Sequence, residues 1–491
     1  MELSIAGGIR EFGASAAHST AVIDGDRRLT FGEVHDRSSR LGQDLLAAGL
    51  DPGDRVAVLL GNRAEWPEIA AGLAKAGLVM VPLGTRSTAA ENAYILDHAD
   101  VRALIADAAL LGNIATPPPV VRLIDGGYED ALAKASAEDP RVPVSERDPF
   151  TIVYTSGTTG RPKGVLISHR SRSLTFYCSA LEWGLGPGRT SLAVAPMYHG
   201  AGFAFGYTPV FAGGTVAMLR SFDAPGLLAA LAESRAQSVF LVPTHAHQLR
   251  ASGLVGEYDL SALDTIFFNA AALPTALKDW VLEAFPGVGV HELYGSTEGG
   301  IVTDCRPAYA RTKPGSVGPA WFMTEIKLLD DADAEVGPGE PGELCSRSPF
   351  LMNGYLKDEA ATAAALTSDG FYRSGDIAVR DADGFVTIVD RKKDMIISGG
   401  VNIAPREVEE VVNGFPGVAE TAVVGLPDDR WGESVTAFVV ALPGASPDPD
   451  AIVAHCRTVL SGPKVPRRVE FLPVLPRNAA GKILKRELRK D

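Results

Sequence analysis

The sequence predicts an α/β protein: a large N-terminal domain of parallel sheets with helices plus a β-rich subdomain, and a small α+β C-terminal domain. The chain has 491 residues, too many for one compact core. Short apolar, β-branched segments alternate with helical patterns, which is typical of βαβ units and parallel sheets. After about residue 320 the apolar segments shorten between Gly, Pro and Asp turns, as in antiparallel sheet.

The elements of the large domain follow in order from these patterns. Thr30 and Glu33 form a capping-box pattern, which predicts a helix beginning after Thr30. Asp54–Leu60 is predicted as a strand, Trp66–Ala76 as a helix and Leu78–Leu83 as the next strand. Further strands are predicted at Ala103–Ala106, Phe150–Tyr154, Val165–Ile167, Leu192–Ala195, Val239–Val242, Thr265–Phe268 and Val288–Leu293.

The domain boundary is predicted near the charged run Asp390–Asp394. This gives an N-terminal domain of residues 1–390 and a C-terminal domain of residues 391–491. In the smaller domain the pattern predicts a helix from Pro405, strands at Thr421–Val424 and Val435–Ala441, and a helix at Ala451–Leu460. The last thirty or so residues are basic in an otherwise acidic chain, so this tail is a candidate lid over an anionic substrate.

Composition and charge narrow the class of protein. The net charge of −14 argues against nucleic acid or an anionic membrane surface as the main partner. Four cysteines are scattered without a CxxC pair, which suits a reducing cytosol and offers no cysteine metal site. The first residues show no leader pattern, so we expect a cytoplasmic protein. The abundance of alanine and glycine is typical of a bacterial source.

One stretch between two predicted strands is rich in glycine and hydroxyl side chains. Tyr154–Gly164 reads Tyr-Thr-Ser-Gly-Thr-Thr-Gly-Arg-Pro-Lys-Gly. Glycines let backbone N–H groups face an anion, hydroxyls add donors and Lys163 adds a point charge, so the stretch is suited to a polyphosphate. The alternative is a flexible surface hairpin. A P-loop is excluded because Pro162 stands where that motif requires glycine.

Four further segments carry groups that suit a nucleotide site. Tyr294–Glu298 offers a ring that stacks on a purine, a hydroxyl for a phosphate oxygen and a carboxylate for Mg²⁺, although a structural turn is equally consistent. Asp376 stands in a turn, where an aspartate usually caps its own backbone. Gly399-Gly400 is equally consistent with a β-bulge or a hairpin turn. Lys482 is equally consistent with a solvated lysine in a C-terminal tail.

Together these segments resemble the adenylate-forming superfamily, which includes acyl-CoA synthetases, adenylation domains and luciferases. The motifs occur in that family's order and span about residues 28 to 490. The resemblance implies ATP, Mg²⁺ and CoA as ligands. It also implies that the C-terminal domain is mobile and rotates about a hinge at Asp390 between two half-reactions.

The resemblance implies a role for each matched residue. The catalytic residues are Lys482, Thr297, Glu298 and His199, and Glu298 also holds Mg²⁺. The phosphates are bound by Thr155, Ser156, Gly157, Thr158, Thr159 and Lys163. Adenine and ribose are contacted by Asn269, Ala270, Ala271, Tyr294, Gly295, Asp376 and Arg391. The pantetheine arm of CoA passes Gly399 and Gly400.

The chemistry implied by the family explains why such groups are needed. A carboxylate acylates poorly because its leaving group is oxide. Attack on the α-phosphate of ATP gives an acyl-adenylate and pyrophosphate, and a thiol then displaces AMP. Lys482 would bridge the carboxylate and the α-phosphate, two anions that repel each other.

The segment Tyr198–Phe203 resembles the family's acyl pocket, and the sequence narrows its acid. No aspartate is present there for an ammonium group, which disfavours amino acids. Leu293 stands where malonate-type enzymes carry an arginine, which disfavours a second carboxylate. The predicted lining residues are Tyr198, Gly200, Ala201, Gly202, Gly299 and Gly300. Apart from Tyr198 these residues are small, as are Ala270 and Ala271, which favours an aryl, cyclic or branched monocarboxylic acid. A medium or long straight chain is the main competitor, and small residues that serve only backbone turns are the alternative.

The sequence alone does not decide which thiol accepts the acyl group or what the oligomeric state is. CoA is the favoured thiol, and the phosphopantetheine arm of a carrier protein is the alternative. A nucleotide-binding regulator without turnover is disfavoured because Lys163, Glu298, Asp376 and Lys482 are all present. A luciferase-type oxidation does not follow from family membership. A homodimer is the default expectation for a soluble enzyme.

Overall fold

The computed structural model describes residues 2–155, 162–398, 401–428, 430–477 and 483–489. The predicted architecture is confirmed: mixed sheets and helices form a large N-terminal part, and a smaller α+β unit follows. The helices of the described residues are α1 Gly7–Ser15, α2 Phe31–Ala47, α3 Glu65–Lys75, α4 Ala89–His98, α5 Tyr128–Lys134, α6 His169–Trp183, α7 Gly200–Phe211, α8 Ala224–Ser234, α9 Pro243–Ser252, α10 Thr275–Ala284, α11 Glu359–Ala364, α12 Pro405–Asn413, α13 Pro449–Val459 and α14 Lys485–Leu488.

The strands lie close to the predicted positions. The first twelve are β1 Thr20–Asp24, β2 Arg27–Thr30, β3 Arg55–Leu59, β4 Val79–Pro82, β5 Val101–Ala106, β6 Val120–Leu123, β7 Pro149–Thr155, β8 Lys163–Ser168, β9 Thr190–Ala193, β10 Thr215–Met218, β11 Ser238–Leu241 and β12 Thr265–Phe268. The others are β13 Gly289–Ser296, β14 Gly300–Cys305, β15 Glu325–Leu329, β16 Pro341–Arg347, β17 Gly354–Tyr355, β18 Tyr372–Arg380, β19 Val386–Arg391, β20 Ile396–Ser398, β21 Val401–Ile403, β22 Val418–Asp428, β23 Gly432–Ala441 and β24 Arg468–Phe471.

The strands form four sheets within the described residues. An eight-stranded sheet has the order β14-β13-β12-β11-β9-β10-β1-β2, and a seven-stranded sheet has the order β17-β8-β7-β4-β3-β5-β6. Both are parallel in their middle and carry antiparallel strands at an edge. The sheet β15-β16-β18-β19 is antiparallel, as the short segments after residue 320 or so predict. The last sheet lies in the C-terminal unit and has the order β21-β20-β23-β22, with β24 paired to β23.

Local sequence signals explain several element boundaries. The Thr30 hydroxyl accepts a hydrogen bond from Glu33 N, and Glu33 accepts one from Thr30 N, so the predicted capping box starts α2. The strand predicted at Thr265–Phe268 is β12, and the helix predicted from Pro405 is α12. No helix in the described ranges combines the length and the apolar character that a membrane span requires.

A buried lysine lies between α2 and α3. Lys75 is fully buried, and its Nζ lies 2.9 Å from Ser38 Oγ, 2.9 Å from Ser39 Oγ and 2.9 Å from the His35 carbonyl oxygen. His35 Nδ1 lies 3.0 Å away. None of these neighbours is a carboxylate, and burial lowers the pKa of Lys75 from 10.5 to about 7.

We expect this lysine to make stability depend on pH. Between pH 7 and pH 10.5 the unfolded chain holds the lysine proton and the folded chain does not, so the free energy of unfolding rises with pH across this window. In Lys75→Met that contribution disappears, because no proton is bound in either state. Urea unfolding of both proteins at pH 7 and pH 9.5 measures the two slopes. Equal slopes would contradict the pKa shift of Lys75.

Candidate active site

The predicted site residues gather where parallel strands of the eight-stranded sheet end. Strands β9, β11, β12 and β13 run parallel, so their carboxyl ends lie along one edge, the usual place for ligands in such sheets. The segments that leave this edge carry His199, Asn269 and Thr297. The hairpin of β7 and β8, which belongs to the other large sheet, reaches the same place through Thr155 and Lys163.

One corner of the site brings a carboxylate, two hydroxyls and a lysine together. Thr155 Oγ1 lies 3.4 Å from Glu298 Oε1, and the Tyr355 hydroxyl lies 3.3 Å from the same oxygen. Lys163 is paired with Thr155 across the hairpin, and its Nζ lies 4.8 Å from the centre of the Tyr355 ring. Burial, followed by the charge of Glu298, raises the pKa of Tyr355, so this hydroxyl stays protonated as a donor. We name these four residues the carboxylate corner.

A second corner joins three predicted nucleotide residues. The Tyr294 hydroxyl donates to Asp376 Oδ2 over 2.6 Å, and Arg391 Nε lies 3.3 Å from Asp376 Oδ1. Asp376 and Arg391 are directly paired on β18 and β19. Burial and the nearby Asp376 charge raise the pKa of Tyr294 well above its ordinary value. Asp376 lies in β18 rather than in a turn, and its carboxylate does not cap its own backbone: the Ser374 hydroxyl accepts from Asp376 N over 3.1 Å, and the carboxylate faces Tyr294 and Arg391. Tyr294, Asp376 and Arg391 are the diol corner below.

The segment after β12 has an unusual backbone. Ala270 has a φ of +72°, a left-handed backbone conformation that residues other than glycine rarely adopt. Its N–H donates to Asn269 Oδ1 over 2.5 Å, which holds the turn. Ala270 and Ala271 are both exposed at the sheet edge. Backbone strain of this kind is concentrated at functional sites. Contact of this segment with adenine stays a prediction.

Several predicted pocket residues are small because the backbone is crowded. A Cβ on Gly202 would lie 2.0 Å from the Pro196 carbonyl oxygen, and one on Gly295 would lie 2.1 Å from the Gly300 carbonyl oxygen. Gly300 has a φ of +69° and faces Phe350. At these positions glycine is therefore required because another part of the chain packs against its backbone, which is the alternative to a substrate pocket that the sequence left open. A Cβ on Gly299 would meet the Ser296 hydroxyl at 3.0 Å.

Two other pocket candidates have different surroundings. Tyr198 is buried, and its hydroxyl accepts from Thr85 Oγ1 over 3.3 Å. The His199 ring packs edge-on against the Tyr198 ring, with 4.6 Å between centroids, and it precedes α7. Ala201 contacts an aromatic cluster, which includes Trp183, Phe205, Phe240, Phe267 and Trp321. The wall behind α7 is therefore aromatic.

The predicted hinge residue is tied to both flanking elements. Asp390 Oδ1 accepts from Arg391 N over 2.7 Å, and Oδ2 accepts from Arg406 N at the start of α12 over 2.9 Å. Arg406 returns a bond to the Ile388 carbonyl oxygen over 2.7 Å. Asp390 thus holds the end of β19 and the start of α12 together. A change in the backbone at Asp390 would rotate the residues that follow it relative to the large part.

Comparison with known protein families agrees with this arrangement. The family described as "AMP-binding enzyme" matches residues 9–356, and the "AMP-binding enzyme C-terminal domain" matches residues 407–482. The first match alone covers more than half of the chain. The chain belongs to the AMP-binding enzyme family.

Individual relatives of this AMP-binding enzyme are similar over nearly their whole length. A feruloyl-CoA synthase of Amycolatopsis sp is 40% identical, with 96% of each chain covered. A fatty acid–[acyl-carrier-protein] ligase, ScoC of Streptomyces coeruleorubidus, is 35% identical, covering 96% of this chain and 92% of the relative. The solved structure of the anthranilate CoA ligase AuaEII in complex with anthranoyl-AMP has a TM-score of 0.94 at 27% identity, covering 100% of this chain and 97% of that one.

Some predicted residues of this family member lie outside the described residues. They are Ser156, Gly157, Thr158, Thr159, Gly399, Gly400 and Lys482. Their assigned roles, and those of the described site residues, stay predictions.

Sequence reasoning missed two residues that the AMP-binding fold brings to the site. Tyr355 belongs to the two-residue strand β17, which carries no pattern of its own. Arg172 lies on the buried face of α6, together with His169, Phe176 and Trp183 at helical spacing. A charged residue on a buried helix face is a signal that the sequence alone could have provided.

Proposed function

We propose that this AMP-binding enzyme is an acyl-CoA synthetase. It activates a carboxylic acid with ATP, releases pyrophosphate, and transfers the acyl group from the adenylate to CoA with release of AMP. Family membership and the CoA ligases among its relatives support this reaction class. The substrates are therefore ATP, CoA and a small carboxylic acid.

The observation that carries the proposal is the meeting of the two corners at one sheet edge. Tyr294 lies near the end of β13 and Glu298 lies in the turn that follows β13, so the diol corner and the carboxylate corner are four residues apart along the chain. A ribose diol suits the Asp376 carboxylate, which accepts hydrogen bonds from both hydroxyls, while the phosphates suit Lys163 and Thr155. A nucleoside triphosphate carries a ribose diol and phosphates in one molecule, so one such ligand would use both corners.

The carboxylate corner also suits Mg²⁺. Magnesium is commonly held by one or two carboxylates together with substrate phosphates, and Glu298 supplies a carboxylate beside two hydroxyls. When bound, the ion would neutralise charge on the phosphate oxygens. Glu298 would hold it, and Thr155 and Tyr355 would orient the Glu298 side chain.

We further propose that residues 391–491 move relative to residues 1–390 between the half-reactions. Asp390 lies at the connection and is bonded on both sides. Hydrogen bonds from α12 to the large part join Arg406 to Asp390 and Ile388 beside the hinge, and Glu410 Oε2 accepts from Thr275 N at 3.3 Å. Lys482 would serve adenylation, and the Gly399–Gly400 side would serve thioester formation.

The acid is proposed to be an aryl monocarboxylic acid. The buried aromatic cluster behind α7 packs against Ala201, one of the predicted pocket residues, and such apolar, aromatic surroundings would suit an aryl ring. The relatives named for feruloyl-CoA and anthranilate support the same class. A straight-chain fatty acid is the competing substrate, and the relative named as a fatty acid–carrier-protein ligase is the observation in its favour.

A panel experiment tests the function. We expect purified enzyme with ATP, Mg²⁺ and CoA to release pyrophosphate and AMP in equal amounts, with the highest kcat/KM on an aryl acid such as ferulate and a lower one on octanoate or palmitate. Omission of CoA should reduce release to about one equivalent per site, because the adenylate stays bound. Failure of every acid in the panel would contradict the proposal.

The carrier-protein alternative is decided in the same assay. If pyrophosphate release stays at about one equivalent per site when CoA is added, and a phosphopantetheinylated carrier protein restores turnover, the acceptor is the carrier protein. Equal turnover with CoA alone excludes a carrier protein as the required acceptor.

A further inference from the structure

A buried cation beside the site has no ion-pair partner among the residues that the structure describes. Arg172 on α6 is only 8% exposed, and its Nε makes no hydrogen bond. None of the ion pairs formed within the described ranges includes Arg172. Burial alone lowers the pKa of the Arg172 guanidinium to about 10. An unpaired buried charge is among the most destabilising features of a folded protein, so its presence requires another explanation than packing.

The guanidinium lies near the start of α7 and near Thr297 in the turn after β13. A Cβ built on Gly200 would lie 3.3 Å from Arg172 Nη2 and 3.8 Å from Thr297 Oγ1. The two donors therefore face the same small gap above the Gly200 backbone. Gly200 is the first residue of α7, a helix of 12 residues whose N-terminal N–H groups favour an anion. Three sources of positive potential or hydrogen-bond donation thus meet at one point.

The occupant of this gap must be an anion or a strong acceptor. The gap is small, because a Cβ at position 200 would already lie 3.3 Å from the guanidinium, and glycine leaves that space open. It lies next to Thr297, one residue before Glu298 of the carboxylate corner. A carboxylate at this place stands beside the phosphates that the corner would hold.

We propose that Arg172 binds the carboxylate of the acid substrate through the oxygen that does not attack ATP. This inference rests on the proposed function. In the first step one carboxylate oxygen forms a bond to the α-phosphorus while the bond to the β-phosphate oxygen breaks and pyrophosphate leaves. The second oxygen becomes the adenylate carbonyl. In the second step the CoA thiolate bonds to the carbonyl carbon, the same oxygen takes the negative charge, and the bond to AMP then breaks. Arg172 donates to that oxygen throughout.

The test compares Arg172→Leu with Arg170→Leu, a matched control on the same helix. Arg170 is partly exposed and pairs with Glu146, away from the gap. We expect Arg172→Leu to lower kcat/KM for benzoate and for ferulate by about a hundredfold or more, with KM for ATP within twofold of wild type. Its melting temperature without substrate should equal or exceed that of wild type, because an unpaired buried charge is replaced by an apolar side chain. Arg170→Leu should keep full activity.

Chemical rescue separates substrate binding from a structural role. In Arg172→Ala, added guanidinium chloride should restore part of the pyrophosphate release, and urea at the same concentration should not. Activity of Arg172→Leu within threefold of Arg170→Leu would overturn the proposal. Loss confined to ferulate, with benzoate unaffected, would also overturn it, since Arg172 would then bind a ring substituent.

A binding measurement keeps this result independent of turnover. We expect ferulate without ATP to raise the melting temperature of wild type and not that of Arg172→Leu. Absence of pyrophosphate release from wild type with every acid would contradict the proposed function, and the ferulate shift would still decide the role of Arg172. Equal ferulate shifts in both proteins would overturn it.

Discussion

Replacing Glu298 with glutamine should lower the rate of pyrophosphate release by about a hundredfold to a thousandfold. The substitution keeps the shape and removes the charge that would hold Mg²⁺ against the phosphates. The amide can still accept from Thr155 and Tyr355, which lie 3.4 Å and 3.3 Å from Oε1, so we expect the fold to stay intact. Because the metal contact is weakened, the residual rate should saturate at a higher Mg²⁺ concentration than in wild type.

The measurement is pyrophosphate release at a series of Mg²⁺ concentrations, with thermal melting as the check on folding. Glu283→Gln on α10 is the matched control, since this side chain is exposed and belongs to neither corner. A Glu298→Gln enzyme with the wild-type rate and the wild-type Mg²⁺ dependence would contradict the metal role of Glu298.

The diol corner shows which part of the site could be predicted from the sequence. Asp376 and Arg391 were identified through motifs, and the structure pairs them across β18 and β19. Nothing local to Tyr294 predicts that its hydroxyl would bond to Asp376, because the two residues are 82 positions apart and meet only when two sheets pack. Sequence motifs identify the functional side chains, whereas the distances between these side chains depend on the tertiary fold.

Arg172 shows why part of the site was missed. Its charge on the buried face of α6 is a local signal, but the gap that it shares with Gly200 exists only where α6 packs beside α7. The reverse holds for Gly202 and Gly300: their small size predicted space for a substrate, but each accommodates a nearby backbone or Phe350. Local regularity, such as the capping box of α2 or the β12 strand, was predictable because a few adjacent residues determine it.

Replacing Lys482 with alanine should abolish adenylation and largely spare thioester formation. Lys482 lies outside the described residues, so its role rests on its place in the C-terminal segment and on charge. In adenylation a carboxylate must approach a phosphate, and a cation between them offsets the repulsion of two anions. In thioester formation the bond between them already exists and that repulsion is absent. We expect the first half-reaction to fall at least a hundredfold and the second to change by less than about fivefold.

The two half-reactions are measured separately, as pyrophosphate release from ATP and acid, and as acyl-CoA formation from a synthetic acyl-adenylate with CoA. Arg457→Ala, which removes an exposed cation from α13 of the same C-terminal unit, is the control for a general loss of charge. Equal losses in both half-reactions would mean that Lys482 acts in both geometries, which would contradict a division of labour produced by rotation about Asp390. A selective loss would support that rotation, because one domain can remove Lys482 from the site in the second step only by moving.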